Sequence, residues 1–211
     1  SLTGIGLKLA DGLLLLSGGI DILALFLTMI ACIILGMGVP TTANYVIMAT
    51  ITAPIILKLI PGTPVLAAHM FVFYFGIVAD ITPPVALAAY AGAAISGGNP
   101  IRTGIIATRL AITAFIIPYI FVLNPAMLLI DTSLPQVIQI VITSTIGMIA
   151  IAGGLEGYMK KKLPWWQRIL AVGGGLCMID PNPITDIVGL AIIAFVLFQQ
   201  YVLKDKKQIE A

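Results

Sequence analysis

Charge is what this chain has least of. Lysine, arginine, aspartate and glutamate make up 9% of its 211 residues, where a soluble domain carries roughly 25%. It has a single histidine and two cysteines, Cys32 and Cys177, both inside apolar runs. The spacing of zinc ligands is missing, and the cysteines read as packing residues. Also missing are a nucleophile elbow, a glycine loop in a setting that cradles phosphate, and a basic patch for nucleic acid. No transition-metal centre, organic cofactor or enzymatic activity is expected. Alternating segments of the membrane-barrel type do not occur either. The chain opens at Ser1 without a basic stretch and cleavage site, so no signal peptide is expected, and it reads as a fragment of a larger membrane domain.

What is present is apolar. Hydrophobic residues make up 60% of the chain, with a mean hydropathy of +1.11. The long uncharged runs predict an all-α integral membrane protein in the lipid bilayer.

The run that organises the rest is interrupted at Leu35-Gly36-Met37-Gly38-Val39-Pro40-Thr41-Thr42. Residues 22–35 on one side make a helix of about 21 Å, and residues 43–57 on the other make about 22 Å, against a hydrocarbon core of about 30 Å. Two arms too short to cross, joined by glycine and proline, predict a re-entrant hairpin over 20–60 with its tip near the membrane midplane. Irregular backbone survives there only where protein buries it or where it lines a wet cavity. Thr41 is placed to cap the second arm and Pro54 to kink it.

Before the hairpin, residues 1–19 read as an interfacial helix ending in a loop at Gly18-Gly19. After it, residues 64–96 form an apolar run too long for one crossing. Asp80-Ile81-Thr82-Pro83-Pro84 sits near its centre, and a double proline removes two donors and disfavours helix before it. The expectation is a broken membrane helix with halves 64–79 and 84–96, Thr82 capping the second half and a proline at its first position. Residues 103–123 read as one spanning helix, and 124–135 as a loop or short surface helix. Residues 136–203 form a C-terminal extension with spans at 136–158, 169–179 and 184–203, and 204–211 form a tail. Trp165 and Trp166 mark an interface beside Lys160-Lys161-Lys162. Gly173-Gly174-Gly175 suits close helix packing.

Counting crossings puts Arg102, Lys160, Lys161, Lys162, Arg168, Lys204, Lys206 and Lys207 on one face, against Lys8 and Lys58 on the other. The positive-inside rule then predicts a cytoplasmic C-terminus in a bacterial or archaeal inner membrane.

Two interrupted segments in succession are the sequence pointer to a secondary transporter's site. Carbonyls ending the first arm at Gly36 and the first half-helix near Asp80 carry partial negative charge, which suits a small hard cation such as Na⁺. The starts of the second arm at Thr41 and of the second half-helix at Pro83 carry partial positive charge, which suits an anion. The hydroxyls of Thr41, Thr42 and Thr82 add oxygens. Asp80 is a carboxylate at membrane depth and so a site candidate; the alternative is a carboxylate paired with a base or wet at an edge. His69 reads as a packed, hydrogen-bonded residue. Arg109 reads as snorkelling, Glu156 as pairing with lysines, and Asp21 and Asn44 as helix caps. Phe71-Val72-Phe73-Tyr74-Phe75 reads as lipid contact or core.

Three motifs in order carry a resemblance: Gly36-Met37-Gly38-Val39-Pro40-Thr41-Thr42-Ala43, then Ala67-Ala68-His69-Met70-Phe71-Val72-Phe73-Tyr74-Phe75-Gly76, then Ile81-Thr82-Pro83-Pro84-Val85-Ala86-Leu87-Ala88-Ala89-Tyr90. Over about residues 1–130 the chain resembles the large membrane subunit of TRAP transporters, in the fused variety that works with TAXI-type binding proteins. The resemblance implies an elevator-type fold with two inverted repeats, of which this chain holds the second. It also implies Na⁺-driven import of a small organic anion, a carboxylate, handed over by a periplasmic solute-binding protein, with the N-terminal half of the permease as a further partner. Carried onto these positions, it assigns Gly36, Met37, Gly38, Thr41 and Thr42 at the hairpin tip to sodium. In the break, Asp80, Ile81, Thr82 and Pro83 match the segment that completes a sodium site, with Asp80 and Thr82 as its ligands, and Thr41, Thr82, Pro83 and Pro84 fall to the substrate. Asp80 departs from the small residue usual there. A channel with the hairpin as pore loop is the rival class, although no ring of filter carbonyls is evident. An enzyme using Asp80 and His69 as acid and base is a third class, but about 16 Å of straight helix separates them.

Overall fold

Most helix boundaries fall where glycine or proline interrupts the apolar runs. The computed structural model describes residues 5–180 and 182–202, and among these the regular elements are eleven α-helices and one short 3-10 turn, with no strand. Contacts divide the chain into two units, residues 1–130 and 131–211.

In the first unit, α1 (Ile5–Ser17) ends at Gly18 and Gly19, whose φ of 56° and 80° is left-handed backbone that side chains avoid. The hairpin follows as α2 (Asp21–Gly36) and α3 (Thr41–Ile51). A kink at Thr52 leads into α4 (Ala53–Leu59), where Pro54 in the first turn supplies no N–H to the preceding turn. The arms are unequal. The first, of 16 residues, is about 24 Å long and shorter than the hydrocarbon core. The second, Thr41–Leu59, is long and apolar enough to cross, so it exceeds the short 43–57 helix expected from sequence. The helix resumes two residues earlier than expected, directly after Pro40. Asp21 occupies the first turn of α2 and Pro40 the cap position of α3, so neither Asp21 nor Thr41 is a side-chain cap.

The base of the hairpin is held by α1. Leu13 packs with Ile55, Leu27 and Leu59, and Lys58 Nζ lies 2.6 Å from Asp11 Oδ1. Both charges are exposed, so the pair contributes about 0–1 kcal/mol.

The core of the unit is built on α5 (Val65–Val78). Phe71 and Phe75 are fully buried and stack edge-on with each other and with Tyr119. Cys32 and Met48 join that cluster. Both residues therefore belong to protein core rather than to lipid contact. His69 Nδ1 sits 3.0 Å from the Tyr45 hydroxyl, as a packed, hydrogen-bonded histidine.

Beyond a break lie α6 (Leu87–Ser96), α7 (Pro100–Leu110) and α8 (Ile112–Leu123). Asn99 caps α7 by accepting the Arg102 N–H at 3.0 Å. The single helix expected over 103–123 is a pair bent by 41°. The bend falls at Ala111, where Ala114 N–H reaches the Ala111 carbonyl at 2.8 Å, an i to i+3 bond that tightens the chain locally. Pro118 lies inside α8, away from the bend.

The second unit holds α9 (Leu134–Glu156), α10 (Trp165–Ile179) and α11 (Pro183–Val202). Trp165 and Trp166 open α10, which starts four residues before the expected 169. Close packing runs through glycines, as expected of Gly174 and Gly175. A Cβ at Gly175 would lie 2.6 Å from the Gly147 carbonyl, and one at Gly174 would lie 2.9 Å from Ile192. Gly173 faces open space. The Arg168 guanidinium closes the end of α9 by donating to the carbonyls of Gly154 at 2.9 Å and Leu155 at 2.5 Å. Buried Gln167 and Gln200 bond to each other at 2.7 Å and tie α10 to α11.

Gly175→Leu is expected to cost several kcal/mol, because a branched side chain meets backbone that cannot retreat (overpacking alone costs about 1–3 kcal/mol). The check is the loss of a monodisperse folded protein in thermal denaturation. Gly173→Ala, into open space within a helix, should instead raise stability by about 0.5–1 kcal/mol.

Candidate functional site

Between α5 and α6 the chain leaves helical geometry over Ala79–Ala86. The second half-helix starts at Leu87, not at residue 84, and its cap position is Ala86, with no side-chain cap. The prolines therefore lie within the break, joined by a cis peptide bond, and Thr82 does not cap α6. The physical reason is the pair of prolines together: each disfavours helix in the residue before it, and Ala86 then turns through a left-handed φ of 38° before helix resumes.

The break is closed by its own hydrogen bonds. Ala88 N–H donates to the Asp80 carbonyl at 3.0 Å and Ala86 N–H to the Thr82 carbonyl at 3.1 Å. The Thr108 hydroxyl of α7 shares its one proton between the Gly104 carbonyl of its own helix at 2.9 Å and the Ile81 carbonyl at 3.2 Å, and Tyr90 donates to the Pro84 carbonyl at 2.8 Å. Each of these carbonyls keeps one lone pair. Thr82 is buried, and its hydroxyl proton is spent on the Val78 carbonyl at 2.7 Å, which leaves the lone pairs of Oγ1 for another partner. Gly104 of α7 lets Pro83 approach: a Cβ there would lie 3.1 Å from the proline ring.

The hairpin tip lies against this break. A Cβ added to Gly36 would stand 2.9 Å from the Gly76 carbonyl oxygen, 3.0 Å from Asn44 Nδ2 and 3.2 Å from Ala79 Cβ. A Cβ added to Gly38, which has a left-handed φ of 73°, would lie 3.9 Å from Val85 Cγ1. The two interruptions read from the sequence therefore meet in space.

Asn44 joins them. It is 1% exposed, and its Nδ2 donates to the Gly76 carbonyl at 2.8 Å across 32 residues of sequence. A carbonyl only accepts, so the amide nitrogen must be the atom facing it. The other end, Asn44 Oδ1, is buried without a hydrogen-bond partner among the described residues. Asn44 is thus a clamp with a spare acceptor, not a helix cap. A polar side chain one turn into an apolar arm, beside the glycine tip, was its one sequence signal.

The other expected site residues are spread around this point. Met37 is half-buried, and Thr41 and Thr42 are exposed on the first turn of α3. Asp80 is half-buried, and no ion pair to it occurs among the described residues. Arg109 is exposed in the last turn of α7. No cluster of three or more ligating His, Cys, Asp or Glu side chains occurs among the described residues.

Among the described residues, three helices are long and apolar enough to cross a membrane, or four if the bent pair α7–α8 is one span. A helical hairpin seated on a broken helix, in a chain of this composition, defines an all-α integral membrane protein of the transporter class. The model of one family, described as "Tripartite ATP-independent periplasmic transporter, DctM component", matches residues 1–137. The chain belongs to that family: it is a large-component chain of a TRAP-type secondary transporter, which is a transport family and not an enzyme family. No curated protein and no solved structure matches the chain.

Proposed function

We propose that this chain forms the sodium and solute site of a TRAP permease that imports an organic anion, a carboxylate, delivered by a periplasmic binding protein. One observation carries the proposal: the glycine tip of the hairpin rests on Gly76 in the last turn of α5 and on Ala79 where the break begins, and beside it Asn44 Oδ1 is buried with no hydrogen-bond partner among the described residues. Oxygens of neutral groups at helix ends are what a small hard cation binds without needing a carboxylate. Asn44 Oδ1, Thr82 Oγ1 and the backbone carbonyls of the tip and break supply them, and Asp80 adds charge nearby.

Sodium draws the tip and break together. The solute carboxylate then binds at the starts of α3 and α6, where amide N–H groups point outward, with the Thr41 hydroxyl beside the first; the Thr82 proton is already on the Val78 carbonyl, so that hydroxyl serves the cation alone. The loaded hairpin unit moves against a scaffold in alternating access and releases its cargo to the cytoplasm. The basic clusters at Lys160–Lys162 and in the tail support a C-terminus on that side. The second unit lies largely beyond the family match, as in a fused permease of the TAXI-associated kind, and the remaining half of the permease completes the transporter.

The test is solute uptake by the assembled transporter, with its binding protein supplied, as a function of external sodium. Thr82→Ala should raise the sodium concentration for half-maximal uptake by about tenfold or more, the effect of losing one bond to a charged group. Thr82→Ser should restore it. An unchanged half-maximum in Thr82→Ala removes Thr82 from the site.

A further inference from the structure

The second unit carries a feature unrelated to the hairpin. Helices α9 and α11 both pack along α10 yet barely touch each other, and a cavity of about 620 Å³ opens between them. Ile146, Ile149 and Ala150 wall it on one side, and Ile193 and Leu197 on the other. Its mouth is polar, formed by Glu156, Tyr158, Lys160 and Tyr201.

We propose that this groove binds one anionic phospholipid, with an acyl chain along the apolar walls and the phosphate at Lys160. The groove length fits. From Ile146 to Glu156 the helix rises about 15 Å, half of the ~30 Å hydrocarbon core and so the depth of one leaflet. The chemistry changes at the right height, from aliphatic walls to two exposed tyrosines, which favour the headgroup level.

The charge fits as well. Lys160 Nζ sits 3.6 Å from the centroid of the Tyr201 ring, and that contact keeps an exposed ammonium over the mouth. Glu156 brings one negative charge to the rim and Lys160 one positive charge; Lys161 and Lys162, next in the chain, line the separate pocket beside Gln167 and Gln200 and add positive charge to this end of the helices. Arg168 is committed to the carbonyls of α9, so Lys160 is the cation that the groove presents. A basic pocket between membrane helices on the cytoplasmic side is the setting in which anionic headgroups bind. The inference does not depend on sodium, the solute or the hairpin.

The experiment uses the full chain, purified in detergent, stripped of lipid and titrated with phosphatidylglycerol, phosphatidylethanolamine or phosphatidylcholine, with bound lipid counted by native mass spectrometry. Phosphatidylglycerol should bind about fivefold more tightly than the other two, the worth of one lysine at a lipid surface. Lys160→Glu should weaken phosphatidylglycerol about tenfold or more, and Lys160→Arg should preserve it. Ala152→Trp, which fills the groove from an exposed position on α9, should abolish the site for every headgroup. Equal binding of the three lipids, or wild-type binding by Lys160→Glu or Ala152→Trp, overturns the proposal.

Discussion

Exchanging sodium for potassium is expected to bring solute uptake down to background. The site has little room to spare. Gly36 approaches the Gly76 backbone so closely that a single methyl group would stand 2.9 Å from its oxygen. Of the two ions sodium is the smaller, and a site of backbone and side-chain oxygens discriminates between them through cavity size or through ligand field. The coupling between ion and solute should be worth roughly 5–150-fold in solute affinity, and solute must raise sodium affinity by the same factor. Measuring both affinities tests the linkage without any assumption about rates. Uptake driven by a proton gradient alone, with sodium absent, would defeat the assignment of the ion.

The second large effect belongs to Gly36→Val. The new Cβ would stand 3.0 Å from Asn44 Nδ2 and 3.2 Å from Ala79 Cβ as well as against the Gly76 carbonyl. The Gly76 oxygen is backbone and Ala79 Cβ cannot rotate away, while Asn44 Nδ2 can retreat only by giving up its bond to Gly76. Overpacking costs about 1–3 kcal/mol, and pushing the Asn44 amide off Gly76 leaves a buried carbonyl unpaired for about 1–3 kcal/mol more. Together these exceed the ~1.4 kcal/mol that corresponds to tenfold. Uptake should therefore fall more than tenfold while the protein still inserts in the membrane. Gly38→Leu meets only Val85 at 3.9 Å but must hold a side chain at φ 73°, a backbone penalty of about 1–2 kcal/mol, so its loss should be smaller. Gly92→Ala has nothing within 4 Å and should leave uptake unchanged. A fully active Gly36→Val would mean that the tip does not need to seat on the break.

The two interruptions were visible in the sequence because each sets glycine or proline inside an uncharged run, and a helix cannot pass such residues unaltered. What they touch was not visible. Asn44 was read as a local cap because its partner, Gly76, is 32 residues away, and local rules see only one turn. The start of α6 was misplaced because a proline is a good first helical residue, while two in succession followed by a left-handed Ala86 postpone the helix. The bend between α7 and α8 has no glycine or proline at Ala111 to announce it. The second arm reached membrane-crossing length because the kink at Thr52 leaves it continuous through Leu59. In the aromatic run, burial of Phe71 and Phe75 was decided by α8, whose Tyr119 and Phe115 close over them.

The hairpin is gripped unequally along its length. At its open end, α1 wedges Leu13 beside Ile55 and pairs Asp11 with Lys58. At the far end, bare glycine backbone lies flush with bare glycine backbone, and one amide, Asn44 to Gly76, bridges the seam. Freeing the tip therefore requires breaking the Asn44–Gly76 bond first, and freeing the whole second arm requires breaking the Tyr45–His69 contact as well.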